Sequence, residues 1–450
     1  MNNISKAQDN KFIMMTTQPV SSLVSRLAVP SIVTMMISAI YNMADTFFVA
    51  RLDIQSPAAV GVVFSYMAFI QAVAFFFGQG SANYISRALG AKDRENALLI
   101  ASTGFFTSLI VGIIIGIAGY IYMEELLRLL GSTDTIMPYA KSYLIYILIG
   151  TPLIMCSFVL NNQMRFQGNA WLGTAGIATG AVLNIILDPV FIFVLDLKVA
   201  GAALATMISQ CVSFVILLRM TGRGDELPIS IRNFRPTFAQ YREIAAGGFP
   251  SLSRQGLASV AVAYMNQLAG FYGDLAIAAF SVVNRIIMFS TSIVLGFGQG
   301  FQPVCGFNFG AKLYDRVKHA FWFSAAVTTI YGAVMSLIGY VFAERIIALF
   351  RPDDAELIAL GAKALRYECY VYTFVGFITM TNMFTQNTRK TIRASILASS
   401  RQGVILALTL YFGRKYFGLD GIAMAQPSAD FLTLLLAVPF ALSALREMKE

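Results

Sequence analysis

Residues 77–92 read FGQGSANYISRALGAK, and residues 297–312 read FGQGFQPVCGFNFGAK. Both stretches open on FGQG and close on GAK with identical spacing, 220 residues apart. The same offset carries Pro30 of RLAVPS onto Pro250 of AGGFPS, and Gly201, Ala203 and Ala205 onto Gly421, Ala423 and Ala425. Identity at one fixed period over so many positions marks a duplication.

Hydropathy says what has been duplicated. Of 450 residues, 57% are hydrophobic and 13% charged, and the mean hydropathy is +0.67. A soluble chain carries roughly a quarter of its residues charged. Here apolar runs of about 20 residues, each enough to cross a hydrocarbon core of roughly 30 Å, follow one another along the chain. Candidate spans lie near 27–50, 57–82, 98–121, 136–160, 171–195 and 199–220, and again near 244–271, 276–302, 320–343, 358–385, 394–413 and 418–444. The expected architecture is an all-α membrane protein of twelve transmembrane helices. It divides into a polar N-terminal segment (1–22), an N-lobe of six spans (23–220), a linker rich in Gly, Pro and charge (221–243) and a C-lobe of six spans (244–445). Six is even, so both copies start on the same face and are parallel repeats, with a substrate site expected in the cleft between them.

Lys and Arg set the orientation. In loops on the side of the N-terminus they outnumber those opposite roughly threefold, which predicts that both termini and the linker are cytoplasmic. The net charge of +9 is then mainly this bias, not a nucleic-acid footprint. The N-terminal segment lacks the apolar core of a signal peptide, so the first span is expected to double as the targeting signal.

The inventory of reactive side chains is short. The one histidine, His319, lies in a polar loop, which excludes a His-based metal cluster, triad or haem-ligand pair within the chain. Cys156, Cys211, Cys305 and Cys369 stand far apart without CxxC spacing and read as small apolar residues. FGQGSANYISRALG lacks the strand context and the Lys-Ser/Thr ending of a phosphate-binding loop. Its glycines read as sites of close helix packing or bending, with Gly90 stopping one helix and Asp93 and Glu95 starting the next.

Ionisable residues inside spans are costly and are functional candidates by default. Asp45 lies about 18 residues into the first span, roughly 27 Å along it at 1.5 Å per residue. Asp188 lies about 17 residues into the fifth, which runs in the same direction, so the two carboxylates are expected at similar depth. Asn184 precedes Asp188 by one helical turn and shares its face. Two acids beside an amide can share one proton or hold a cation through oxygen. The ordinary alternatives are that Asp45 caps its helix with Arg51 and that Asp188 pairs with Lys141. Pro30, Pro189 and Pro250 interrupt the hydrogen bonding of their helices and are expected to kink them. In the second half, Arg254, Arg285, Glu368, Arg401 and Asp430 fall within spans, where opposite-sign pairs would satisfy one another. Tyr41, Gln71, Asn161 and Asn266 are polar candidates for a cleft lining. The 20 Met and 36 Phe suit an adaptable apolar cavity as well as any lipid-facing helix.

The segments NMADTFFVARL (42–52), SRALGAKDRENA (86–97) and LNIILDP (183–189), on two six-span halves, resemble the multidrug and toxic compound extrusion (MATE) transporters. The resemblance runs over residues 20–445, and LNIILDPVFIFVLDLKVAGAALAT is most similar to the bacterial DinF-type and MepA-type members. It implies a V-shaped, two-lobe, monomeric antiporter of the cell membrane, not an enzyme. Such a protein expels bulky, often cationic drugs in exchange for H+ or Na+. The implied partners are drugs and membrane lipids rather than nucleic acid, with no cofactor beyond the coupling ion. Asp45, Asn184 and Asp188 match the family's N-lobe coupling trio. Sodium-type members carry acids in both the seventh and tenth spans; here the seventh has none and the tenth has Glu368, which favours the N-lobe site. The competing reading is a lipid-linked oligosaccharide flippase of the same superfamily, whose cationic cavity Arg254, Arg285 and Arg401 would suggest.

Overall fold

The structure is a computed structural model that describes residues 2–52, 55–223, 226–350 and 354–448, without the side chains of residues 2–9, 42 and 274. Gly224 and Asp225 of the linker therefore lie outside the described residues. Among those described, regular structure is helical throughout. The helices are α1 (Asn2–Thr17), α2 (Val20–Val49), α3 (Gln55–Gly90), α4 (Arg94–Ile121), α5 (Met123–Leu129), α6 (Met137–Phe166), α7 (Ala170–Pro189) and α8 (Lys198–Met220). After them come α9 (Phe238–Gly270), α10 (Asp274–Gly310), α11 (Tyr314–Val341), α12 (Ala343–Ala348), α13 (Ala355–Asn387), α14 (Thr391–Ser399), α15 (Ile405–Ala423) and α16 (Ala425–Arg446). Two π-helical turns, Val190–Val194 and Ser400–Val404, continue α7 and join α14 to α15.

Ten helical stretches are long and apolar enough to cross a membrane: α2, α3, α4, α6, Ala170–Val194, α8, α10, α11, Thr391–Ala423 and α16. With α9 and α13, each of 33 residues, twelve long helices are described. Those two are less apolar because Arg242, Glu243 and Arg254 punctuate one, and Glu356, Lys363, Arg366 and Glu368 the other. Several helices outrun the apolar stretch that announced them. The whole of FGQGSANYISRALG is α3, ending at Gly90 as expected, and Asp93 then caps α4 by accepting the Asn96 N–H.

The chain packs into two compact units whose borders cut through helices. Unit 1 holds α1, Val29–Leu252 and Gly306–Ala311; unit 2 holds Pro19–Ala28, Ser253–Cys305 and the chain from Lys312. Thus α2, α9 and α10 each begin in one unit and end in the other, and each crossing lies within two residues of a proline: Pro30, Pro250 or Pro303. The repeated glycines explain this exchange. Inside unit 1 a Cβ on Gly80 would stand 2.2 Å from the Ile244 carbonyl oxygen, so α3 takes the start of α9 against its backbone. Inside unit 2 a Cβ on Gly300 would stand 2.3 Å from the Ala28 nitrogen, so α10 takes the start of α2 in the same way. The glycine of each closing GAK behaves alike: on Gly90 a Cβ would meet the Phe307 oxygen at 2.1 Å, and on Gly310 the Arg87 oxygen at 2.0 Å. No side chain fits where two backbones come this close.

The N-terminal segment and the linker are more ordered than their polar composition suggests. On α1, Met15 is fully buried and Lys11 and Thr16 nearly so. Lys11 Nζ lies 3.3 Å from Glu226 Oε1 of the linker, and Asn169 at the head of α7 donates to the same carboxylate. Gln167 accepts the Leu227 N–H at 2.8 Å, and Asn308 donates to the Met15 carbonyl at 3.1 Å. Farther along, Ser102 and Thr103 of α4 accept the backbone N–H groups of Ser230 and Arg235. The last residues of the linker are already α9, capped where Thr237 accepts the Gln240 N–H.

Candidate functional site

The acids of the first and fifth spans meet inside unit 1. Asp45 on α2 is 8% exposed, and Asp188 and Asn184 on α7 are 0% and 2% exposed. The one-turn spacing on α7 does what helical geometry demands: Asn184 Nδ2 donates to Asp188 Oδ1 at 3.1 Å. The same amide lies 3.2 Å from Thr206 Oγ1 on α8. Asp45 and Asp188 lie within electrostatic reach of one another, and both act on the hydroxyls of Tyr41 and Tyr143. Thr206 interacts with both tyrosines too, so four helices, α2, α6, α7 and α8, converge on the pair.

Three oxygens of this site have no donor. Asp45 Oδ1, Asn184 Oδ1 and Asp188 Oδ2 are all buried without a hydrogen-bond partner. Leaving one buried acceptor unmatched costs about 1–3 kcal/mol, so a group that donates to these oxygens is favoured here. Among the described residues no group of three or more His, Cys, Asp or Glu side chains is placed to hold a metal ion.

The helices around the site are interrupted beside it. Pro189, directly after Asp188, lacks an N–H, and the backbone widens into the π turn, closed by Leu195 N to Val190 O at 2.9 Å. On α2, the Pro30 carbonyl accepts from Thr34 and from Thr174 of α7, each at 2.9 Å, and the two hydroxyls lie 2.8 Å apart. The helix bearing Asp45 is thereby tied at its proline to the helix bearing Asp188.

Neither ordinary pairing for the acids forms. Lys141 binds Glu124 at 2.6 Å on the surface, in a cluster where Arg128 also holds Glu124, and the two cations keep that carboxyl below its usual range. Arg51 lies over the Phe47 ring at 4.3 Å instead of bonding Asp45. The polar cleft candidates are scattered. Tyr41 belongs to the acid site, Asn161 is buried on α6 against Gly173, Gln71 is half-buried on α3, and Asn266 is half-buried on α9 in unit 2. Thr206 and Tyr143 escaped the sequence reading because a lone hydroxyl in an apolar run carries no signal.

In unit 2 the expected charge pairing is only partly realised. Arg401, on the second π turn, binds Asp430 of α16 through Nε–Oδ1 at 2.9 Å and Nη2–Oδ2 at 3.2 Å, with Gln426 donating to Asp430 at 2.9 Å. Glu368 feels the charges of Arg401 and Asp430 but bonds neither. Arg285 is exposed rather than buried. Of the three arginines that would suggest a cationic cavity, only Arg254 is inside the unit and without a carboxylate partner among the described residues.

The MatE family model matches residues 30–190 and again 250–412, each match starting on one of the repeated prolines. The chain is 26% identical over 436 residues to the multidrug export protein MepA of Staphylococcus haemolyticus (strain JCSC1435), covering 96% of this chain and 95% of that one. It is 28% identical over 413 residues to MepA of Staphylococcus saprophyticus, covering 91% of each. A solved structure described as the outward-facing conformation of a multidrug resistance MATE family transporter superposes with a TM-score of 0.91 at 25% identity, over 97% of this chain and 98% of that one. Double match, length, fold and repeat agree: the chain belongs to the MatE family of multi-pass membrane transporters.

Proposed function

We propose that this protein is a multidrug efflux antiporter of the cell membrane, with both termini cytoplasmic, expelling lipophilic and often cationic compounds in exchange for H+ taken up at Asp45 and Asp188. The names of the MepA relatives support the cargo class. The observation that carries the ion is the set of three buried oxygens without donors around two carboxylates. A proton answers it with one O–H. Oxygen ligands of this kind could hold a hard cation too, and the two gradients of the test below separate H+ from Na+.

Exchange requires that the ion bind one conformation better than the other. Protonating one acid removes like-charge repulsion between the carboxylates and turns an acceptor into a donor for a neighbouring oxygen. Both acids sit on helices with weakened hydrogen bonding, α2 at Pro30 and α7 at Pro189 and the π turn. The Thr34–Thr174–Pro30 knot makes a change at one helix felt at the other. The test is uptake of a fluorescent lipophilic cation into proteoliposomes, driven first by a pH gradient and then by a sodium gradient. The pH gradient drives uptake, and Asp45→Asn and Asp188→Asn abolish it. Uptake that survives in both variants, or follows sodium alone, refutes the assignment.

A further inference from the structure

Unit 2 contains a guanidinium with nothing anionic to hold among the described residues. Arg254 lies half-buried on α9, four residues past Pro250, and its one described bond is from Nη1 to Asn382 Oδ1 of α13, long at 3.4 Å. The amide at the other end is fixed: Asn382 Nδ2 donates to the Ala394 carbonyl at 2.6 Å, so its oxygen is held toward Arg254. The nearby charges are otherwise committed. Arg401 has spent its fork on Asp430, which Gln426 also braces, and Glu368 acts on that pair without bonding either arginine among the described residues. Arg401 adds positive potential at Arg254. A guanidinium presents five N–H donors in a planar fork, and this one uses a single donor weakly.

We propose that Arg254 is a carboxylate-binding subsite for the cargo, oriented by Asn382, so that the transporter accepts amphiphiles bearing a carboxylate as well as plain cations. This rests on the efflux reading above. A planar oxyanion in two-point contact with the fork matches the free donors in number and geometry. Arg401, identical in chemistry but bonded through its fork to Asp430, marks the contrast: the unit builds a bidentate carboxylate pair where its own acid is available, and leaves the second fork open.

Two dyes that differ only in this group make the test: rhodamine 110, with a free carboxylate, and rhodamine 123, its methyl ester. Binding to the full-length protein in detergent is measured by fluorescence anisotropy for the native chain, Arg254→Lys and Arg254→Gln, with thermal midpoints to check folding. Arg254→Gln is expected to weaken rhodamine 110 at least tenfold more than rhodamine 123, and Arg254→Lys to fall between, since an ammonium supplies charge without the fork. Equal losses for both dyes, or a rhodamine 110 affinity indifferent to Arg254→Gln while rhodamine 123 still binds, overturn the subsite and leave the efflux reading standing. Native protein that binds neither dye overturns both.

Discussion

Replacing Asp188 with Asn should make the protein more stable and less active at once. The aspartate is fully buried, and only its Oδ1 is hydrogen-bonded, by Asn184 at 3.1 Å. An aspartate at the centre of a membrane helix costs about 2.5–3.5 kcal/mol, an upper bound for Asp188 near the end of the span Ala170–Val194, and a hydrogen bond to a charged group returns about 1.5 kcal/mol. The carboxamide keeps the acceptor for Asn184, drops the charge and places an N–H2 among oxygens that have no donor. The expected gain is at most about 1–2 kcal/mol, read as a rise of about 1–2 °C in the thermal midpoint of the 450-residue chain in detergent at pH 8. Asp45→Asn should gain a similar amount. The double variant should gain less than the sum, because removing the first charge already relieves the repulsion. In proteoliposomes each single variant should lose gradient-driven transport by at least tenfold. A midpoint that falls in a well-folded variant, or full additivity in the double variant, would show that the two carboxylates do not form one strained site.

Three further outcomes follow from geometry elsewhere. Gly90→Ala places a methyl group 2.1 Å from the Phe307 oxygen and should cost about 1–3 kcal/mol by overpacking, whereas Gly61→Ala meets nothing within 4 Å and should be neutral or slightly stabilising; paired thermal melts decide it. Glu226→Ala removes the carboxylate that Lys11 binds in a buried setting and should cost about 3 kcal/mol locally, seen as faster proteolysis and amide exchange in α1 while the spans stay protected. Glu447, beyond the last span, is lowered from the usual 4.5 to about 2 by hydrogen bonds from Lys390 and Arg393. A lowered acid contributes stability above pH 4.5 and loses it as pH falls toward 2, so Glu447→Gln should flatten the acid limb of a melting series without altering the midpoint's response to pH above 5.

Twelve helices, the duplication and the two buried acids were legible because each has a signal of its own: apolar length, a fixed offset, a charge where none belongs. What stayed hidden depended on partners distant in sequence. Nothing in MNNISKAQDNKFIMMTT announces a docked helix, since the burial of Met15 and Lys11 is decided by Glu226, Asn169 and Asn308. The ends of α3 and α10 were placed short because a hydropathy window sees lipid-facing residues, and these helices continue into protein-facing, glycine-lined contact. Lys141 looked like a partner for Asp188 only while Glu124, 17 residues away on another helix, was not in view.

When the glycines of one repeat grip the start of the other's first helix, and the grip is reciprocal, the arrangement has the form of a domain-swapped homodimer whose two chains are joined in one. The practical corollary concerns severed chains: residues 1–237 and 238–450, produced separately, each lack a piece held by the other, and only co-synthesis should return a folded transporter.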